Sequence, residues 1–209
     1  MTMSTPPTLR KVPTQERAKL RFEAILSAAT DLIAQAGSDH LKMSDVASTA
    51  GVPIGSLYQY FPDKAAILLT LADRIMDRVR IGLTDAMGSV ETLVEAEEAL
   101  GVTLKAYYQM FLEEPVARDI WFGVQANKTL HELDMEDSRA NGEIVFRALR
   151  KFAPRKNWKN LEATCFLIMQ LSGMAVRLAV SLERKEGDRI ISIYEGMIRR
   201  ELVESLDLP

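Results

Sequence analysis

Between Met43 and Lys64 the chain reads MSDVASTAGVPIGSLYQYFPDK, and few architectures accept that order of residues. Val46, Ala47, Ala50, Val52 and Leu57 recur at spacings that let two short helices cross closely. Gly51 falls where the first helix must stop and the backbone must turn, a place for the positive φ that glycine adopts cheaply. Leu57 and Phe61, four residues apart, share one face of the second helix. Ser56, Gln59 and Tyr60 then point elsewhere, with Tyr58 on the flank. The pattern predicts a helix–turn–helix whose second helix offers a polar, aromatic edge, and the expected partner is double-stranded DNA.

Charges at the helix ends agree with that partner. Lys42 stands just before the first short helix. Pro62 ends the second, and Asp63 is placed to cap a long helix opened by Lys64. A lysine at the positive end of a helix dipole is unfavourable by about 0.3–1 kcal/mol. It becomes useful when a phosphate sits there, because helix amides and ammonium then act on one anion. Lys64 is read as such a contact; for Lys42 a merely solvated side chain stands as an equal reading. Residues 1–21 carry Arg10, Lys11, Arg17, Lys19 and Arg21 against Glu16 alone, which suits phosphate or minor-groove contact. Pro6, Pro7 and Pro13 oppose a helix there, so a solvated leader is the second reading of that arm.

The rest of the chain shows apolar residues every three or four places and no sustained alternation, so the fold class is all-α, with about nine helices. We expect a flexible basic arm over 1–13, a helix–turn–helix head over 14–62, and a helical bundle over 63–209. Helices are expected near 14–36, 44–50, 54–60, 63–87, 90–112, 115–127, 134–152, 157–184 and 187–206, with a break around Lys128–Leu133. Cys165 is the single cysteine, which excludes an intrachain disulfide and leaves too few ligands for a cysteine–histidine metal cage. The acids after His131 are read as the dipole-complementing first turn of a helix, so no metal and no cofactor is expected. The start MTMSTPPTLRK has no apolar core of a leader, and Gln170 and Arg177 interrupt the apolar run 163–182. That run is read as a soluble helix buried on most sides, and the location as cytoplasmic. No nucleophile–base pair or phosphate-binding glycine loop is visible, which argues against an enzyme.

In these motifs the chain resembles the tetracycline-repressor (TetR) family of bacterial transcription regulators. The resemblance begins near Arg17, runs through ILSAATDLIAQAG (25–37), and is strongest in DVASTAGVPIGSLYQYFPDKAAIL (45–68). It implies groove and backbone contacts from Ser56, Tyr58, Gln59 and Tyr60, and a phosphate contact from Lys64. The full DNA-binding set expected is Lys42, Ser44, Ile54, Gly55, Ser56, Tyr58, Gln59, Tyr60 and Lys64. Two positions depart from the family pattern. Lys42 replaces a usual helix-capping threonine, and Pro53 replaces a common serine, losing a hydroxyl but suiting a first helical turn.

The resemblance also implies a small-molecule effector within the bundle, and residue chemistry nominates Tyr107, Phe111, Trp121, Gln125, Phe166, Met169, Gln170 and Arg177 for it, with plain core packing the competing reading for the aromatic, methionine and amide residues. Three readings stand for Arg177: an anionic ligand, an acid across a dimer, or a side chain reaching the surface. Small residues Ser172, Gly173, Ala175 and Ala179, with Met169, Met174, Leu178, Leu182, Ile190, Ile193, Tyr194, Met197 and Ile198, nominate the last two helices as a homodimer interface. Two copies of a short recognition helix would read a palindromic operator. The expectation is a ligand-responsive repressor; the alternative is a helical protein-interaction adaptor without an effector.

Overall fold

The computed structural model describes residues 16–123 and 128–206. Among the described residues lie nine α-helices and no strand: α1 Glu16–Ala36, α2 Met43–Thr49, α3 Ile54–Tyr60, α4 Lys64–Gly88, α5 Leu93–Glu113, α6 Pro115–Gly123, α7 Lys128–Leu149, α8 Trp158–Val180 and α9 Arg184–Ser205. The arm 1–13 and Gln125 lie outside the described residues. The break expected at Lys128–Leu133 is instead the opening of α7, because KTLHEL contains neither proline nor glycine to stop a helix. Asp134, Glu136 and Asp137 therefore sit inside α7 rather than in its first turn, and the dipole explanation offered for them fails.

The chain divides into two compact units, and the division falls within α4 rather than at Pro62. One unit holds the described residues up to Ile75 together with Pro115–Gly123. The other holds Met76–Glu114 and the described residues from Lys128 on. α4 is continuous from Lys64 to Gly88 and contributes residues to both units. The carboxylate of Asp119 on α6 accepts the Ser38 N–H at 3.0 Å, fixing α6 within the first unit, the head.

The head is built on α1, whose Phe22, Ile25, Leu26, Ala29 and Ile33 are buried together with Val46, Ala47, Leu57, Phe61 and Ile67. Phe61 stacks on Phe22 with centroids 5.0 Å apart. Burying side chains of this size stabilises by roughly 1.5–3 kcal/mol each. Arg74 forks onto Glu23 at 2.7 and 2.6 Å, and that hydrogen-bonded pairing holds the Glu23 carboxyl below its ordinary value.

In the second unit, the body, two glycines set the helix spacing. A Cβ at Gly142 would lie 2.8 Å from the Phe166 Cα, and one at Gly187 would collide with the Ala179 carbonyl, so α8 lies close against both α7 and α9. Ser172, Gly173 and Ala179 are consumed in this packing and are buried within the chain. The hydroxyl of Ser172 donates to the Ile168 carbonyl, as does that of Tyr194 at 2.6 Å. Those small residues, with Tyr194 and Ile198, therefore serve the intrachain core and not an outer interface. What α8 and α9 do expose keeps Met174, Leu178, Ile193 and Met197 of the expected set and adds Leu167 and Leu171, which extend the α8 stripe. α8 is thus open along one face rather than buried on most sides.

Candidate nucleic-acid interface

The turn between α2 and α3 follows from glycine. Gly51 adopts φ 65°, its N–H donates to the Ser48 carbonyl at 3.2 Å, and the Val52 N–H reaches back to Ala47 at 3.0 Å. This pair of bonds is a Schellman termination, which ends α2 and redirects the chain at a cost that a β-carbon would raise. Pro53, in extended conformation, then presents its carbonyl to the N–H groups of Ser56 and Leu57 and starts α3 without any side-chain cap.

Leu57 is fully buried, which rolls α3 so that Ile54, Gly55, Tyr58 and Gln59 face outward and Ser56 is half-buried. Exposed amide, phenol and aliphatic groups are what a major groove accepts: amide to adenine, and aliphatic surface to the thymine methyl. Tyr60 departs from expectation. It is only 6% exposed, and its ring meets Phe22 edge-on at 5.9 Å. Three residues after Leu57, its direction falls between the buried and open faces, and the Phe22–Phe61 stack draws it inward. Its assignment among side chains offered to bases is corrected to the head core.

Around α3, Lys42 occupies the position before α2 in extended conformation, exposed and making no cap. Ser44 donates its hydroxyl to Asp45 at 2.9 Å, so it must turn away from that acid to donate to a phosphate. The Asp63 carboxylate accepts the Ala66 N–H at 2.9 Å and caps α4 as expected. Lys64 is exposed at the start of α4, its ammonium resting on the Asp39 carbonyl at 3.1 Å. A backbone carbonyl holds an ammonium more weakly than a phosphate does, so this contact parks the charge without consuming it.

The residues nominated for an effector do not converge as one group. Trp121 is buried but belongs to the head unit. Phe166 lies under the Arg139 guanidinium, 4.3 Å from its ring centroid, and lines an open groove with Glu136 and Glu162. Met169 is half-buried on α8. Tyr107 and Phe111 do meet, edge to face at 5.0 Å. Tyr107 also lines a groove of about 290 Å³ with Val79, Ala106 and Met110, between α4 and α5. Its hydroxyl lies in the interior, where burial and the charges of Asp134 and Asp137 push its ionisation up and Arg177 pulls it back.

Sequence reasoning missed the charged interior of the body. Asp134 and Asn141 are 5% and 6% exposed. Asp134 accepts from the Gln170 amide at 3.1 Å, Asn141 donates to Asp137 at 2.8 Å, and Arg80 bridges Asp137 and Asp77. Burial raises the Asp137 carboxyl above its ordinary value, while Arg80 opposes the rise. The signal was present: Leu130, Asp134, Asn141, Val145 and Leu149 share a helical face, so polar groups stood at core positions of an apolar pattern.

Comparison with known proteins agrees with both units. Residues 25–71 match the family described as bacterial regulatory proteins of the tetR family, and residues 94–206 match the tetracyclin repressor-like C-terminal domain. The transcriptional regulator EthR of Mycobacterium tuberculosis is 37% identical over 60 residues, 29% of this chain and 28% of EthR, so the chain's match spans under a third of that relative's length. A TetR-family regulator from Streptomyces coelicolor superposes with a TM-score of 0.68 at 24% identity, over 89% of this chain and 99% of that one. RolR in complex with resorcinol superposes at 0.61 with 20% identity, over 94% and 98%. Identities of this size show a shared fold alone.

Proposed function

The chain belongs to the TetR family of bacterial transcription regulators, and on that footing we propose that it is a cytoplasmic repressor that binds a palindromic operator as a homodimer and is released by a small molecule. The observation that supports it most is the division of α3, with Leu57 sealed in the core while Tyr58 and Gln59 stand outward next to Lys64. One such helix reads few base pairs; two copies on one duplex face, with centres roughly 34–36 Å apart, read a palindrome.

The second copy docks on the α8–α9 face. Leu167, Leu171, Met174 and Leu178 recur at helical spacing, and two such helix pairs would make a four-helix interface. The segment Arg155–Val180 holds an 18-residue window of mean hydropathy 1.6, long and apolar enough to cross a membrane. Gln170 within it is engaged to the buried Asp134 of α7, as in a helix packed within a bundle, so a protein partner accounts for the apolar stripe better. The effector acts in the body. That RolR is solved with resorcinol supports a small-molecule ligand for this fold. Release requires tighter binding to the form that does not fit DNA, and a coupling of about 1–3 kcal/mol corresponds to about 5- to 150-fold in affinity.

Mobility-shift titration of the DNA flanking the chain's own gene, at low and high salt, tests the reading. A shifted, salt-sensitive complex is expected, and Leu171→Glu should yield monomers that no longer form it. A monomeric wild-type protein, or no preference over random DNA, would sink the proposal.

A further inference from the structure

We propose that Asp119 on α6 is a positioning residue of the DNA-contacting surface, holding the turn between α1 and α2 so that Lys42 and Lys64 stand ready for phosphates. The proposal rests on the DNA-binding reading above and adds to it a residue outside the matched stretch 25–71.

Residues 36–42, AGSDHLK, carry the chain from α1 to α2. Gly37 ends α1 at φ 82°, its N–H still donating to the Ile33 carbonyl at 2.8 Å. A single 3-10 turn, Ser38–His40, follows, and the first N–H of such a turn has no partner within it. The residue before a helix ordinarily supplies a side-chain cap, but here that residue is glycine. Asp119 fills the place from 81 residues away, its Oδ2 accepting the Ser38 N–H at 3.0 Å. A Cβ on Gly37 would stand 3.4 Å from Oδ1, so the second oxygen packs against the same bend. Ala117, Ile120 and Trp121 of α6 are buried, so a seated helix presents the carboxylate.

The turn sets two of the cations proposed for the DNA backbone. The Asp39 carbonyl, one residue beyond the N–H that Asp119 holds, is the resting place of the Lys64 ammonium at 3.1 Å. The Leu41 N–H closes on the Ser38 carbonyl at 3.2 Å and its side chain is buried, which leaves Lys42 extended and exposed at the entry to α2. One charge-assisted bond at Ser38 therefore orders the segment on which both lysines depend. Its value in binding is preorganisation: a turn already ordered in the free protein need not be ordered when phosphates arrive. Tyr58 and Gln59 are placed instead by the burial of Leu57 on α3, so base readout does not pass through this bond.

Asp119 is itself an anion, and the sign of its effect separates the bond from the charge. As a charge alone it repels phosphates, and removing it tightens DNA binding. As an acceptor it organises the turn, and removing it weakens DNA binding. Asp119→Asn removes the charge and keeps an acceptor oxygen, whereas Asp119→Ala removes both.

Anisotropy titrations of the full chain with the DNA flanking its own gene and with random duplex test this. Wild type, Asp119→Asn and Asp119→Ala are compared, each also in a Lys42→Ala, Lys64→Ala background. Asp119→Ala should weaken binding to both duplexes by the same factor, about three- to tenfold, the scale of a lost cap. Asp119→Asn should stay within about twofold of wild type, since a neutral acceptor keeps roughly half the strength of a charged one. Without the two lysines, Asp119→Ala should change affinity by less than about twofold, a result that general loosening of the head would not give. Amide exchange at Ser38 should quicken in Asp119→Ala and stay slow in Asp119→Asn.

Unchanged or tighter DNA binding by Asp119→Ala overturns the proposal. So does an Asp119→Asn as weak as Asp119→Ala, an undiminished loss in the background without the lysines, or a loss confined to one duplex. Should Asp119→Ala fail to fold, Asp119→Glu, which sets the carboxylate one methylene further from α6, makes the same comparison and should weaken both duplexes only where the lysines are present. Wild type that binds no DNA overturns the regulator reading itself. Wild type that binds, with Asp119→Ala indistinguishable from it, leaves that reading standing and removes Asp119 from the surface.

Discussion

In the head, the side chains buried around Leu57 and Phe61 are aliphatic and aromatic, and among the described residues Thr70 is the one buried polar side chain, bonded to the Ala66 carbonyl of its own helix at 2.7 Å. In the body, Asp134, Ser138, Asn141 and Ser172 are all buried, and Arg177, Gln170 and Asn141 each keep an interior atom unpaired. The contrast teaches what each unit can do. A head packed by dispersion and hydrophobic burial keeps one shape and presents one edge, as base readout requires. A body whose packing depends on charge balance is sensitive to any molecule that alters that balance.

The contrast is broken most directly at Phe61. Phe61→Ala removes a fully buried ring that stacks on Phe22, and should destabilise the head by about 3–5 kcal/mol, seen as a lower denaturant midpoint and lost DNA binding. A loss below about 1 kcal/mol would mean the head relaxes around the cavity and is not the rigid partner in this comparison. In the body the corresponding lesion is electrostatic. Arg80→Met leaves Asp137 buried and short of its cation, at about 3 kcal/mol, the lower end for broken buried pairs because Arg80 is 34% exposed. Its pH dependence carries the distinction. The Asp137 carboxyl is already raised by burial, and without Arg80 it rises further, so the folded form binds its proton more readily than the unfolded form does. Protonation then favours folding, and the deficit of Arg80→Met should shrink as pH falls from about 8 towards 5. A deficit that is flat across that range would assign the loss to packing instead. The Phe61→Ala deficit, having no titrating group, should stay flat.

The two units were unequally legible in the sequence. The head's local chemistry is short-range: glycine at a positive φ, proline before a helix, aspartate as a cap, and apolar spacing that closes within twenty residues. Each of those features could be read without knowing the fold, and Gly51, Asp63, Leu57 and Phe61 lie where the spacing put them. Tyr60 was misread because its position on α3 borders both faces, and the Phe22 ring that draws it inward is supplied by α1, some forty residues earlier. The body depends on long-range pairing instead. Arg80 finds Asp137 and Gln170 finds Asp134 only after α4, α7 and α8 assemble, and a start for α7 placed six residues late turned core acids into helix-end charges. The small residues of α8 were assigned outward for the same reason: spacing shows that helices approach closely, but not which helix is the partner.

The corrected place of Tyr60 separates two neighbours on α3. Gln59→Ala should leave the melting temperature unchanged and reduce discrimination between operator variants by about 1–3 kcal/mol, the worth of a bidentate base contact. Tyr60→Ala should lower stability with little change in relative preference, and Tyr60→Phe, which keeps the ring against Phe22, should behave close to wild type in the melt. If Tyr60→Phe instead loses discrimination at full stability, its hydroxyl reads DNA from within the core and the two faces of α3 are not distinct.

The smallest expected effect is at Lys64. Its ammonium rests on the Asp39 carbonyl in an exposed setting, so Lys64→Ala should change stability by no more than about 0.5 kcal/mol, as surface substitutions generally do. On DNA the same side chain would exchange that carbonyl for a phosphate and release a counter-ion. Lys64→Ala should therefore weaken binding to operator and random duplex alike, and reduce the slope of log affinity against log salt by about one per head. Salt titrations with both duplexes measure it. An unchanged slope with lower stability would mean that Lys64 only ties the start of α4 to the turn at Ser38–His40. The positive rim of the head would then have to come from Lys42 and the exposed Arg17, Lys19 and Arg21 of α1.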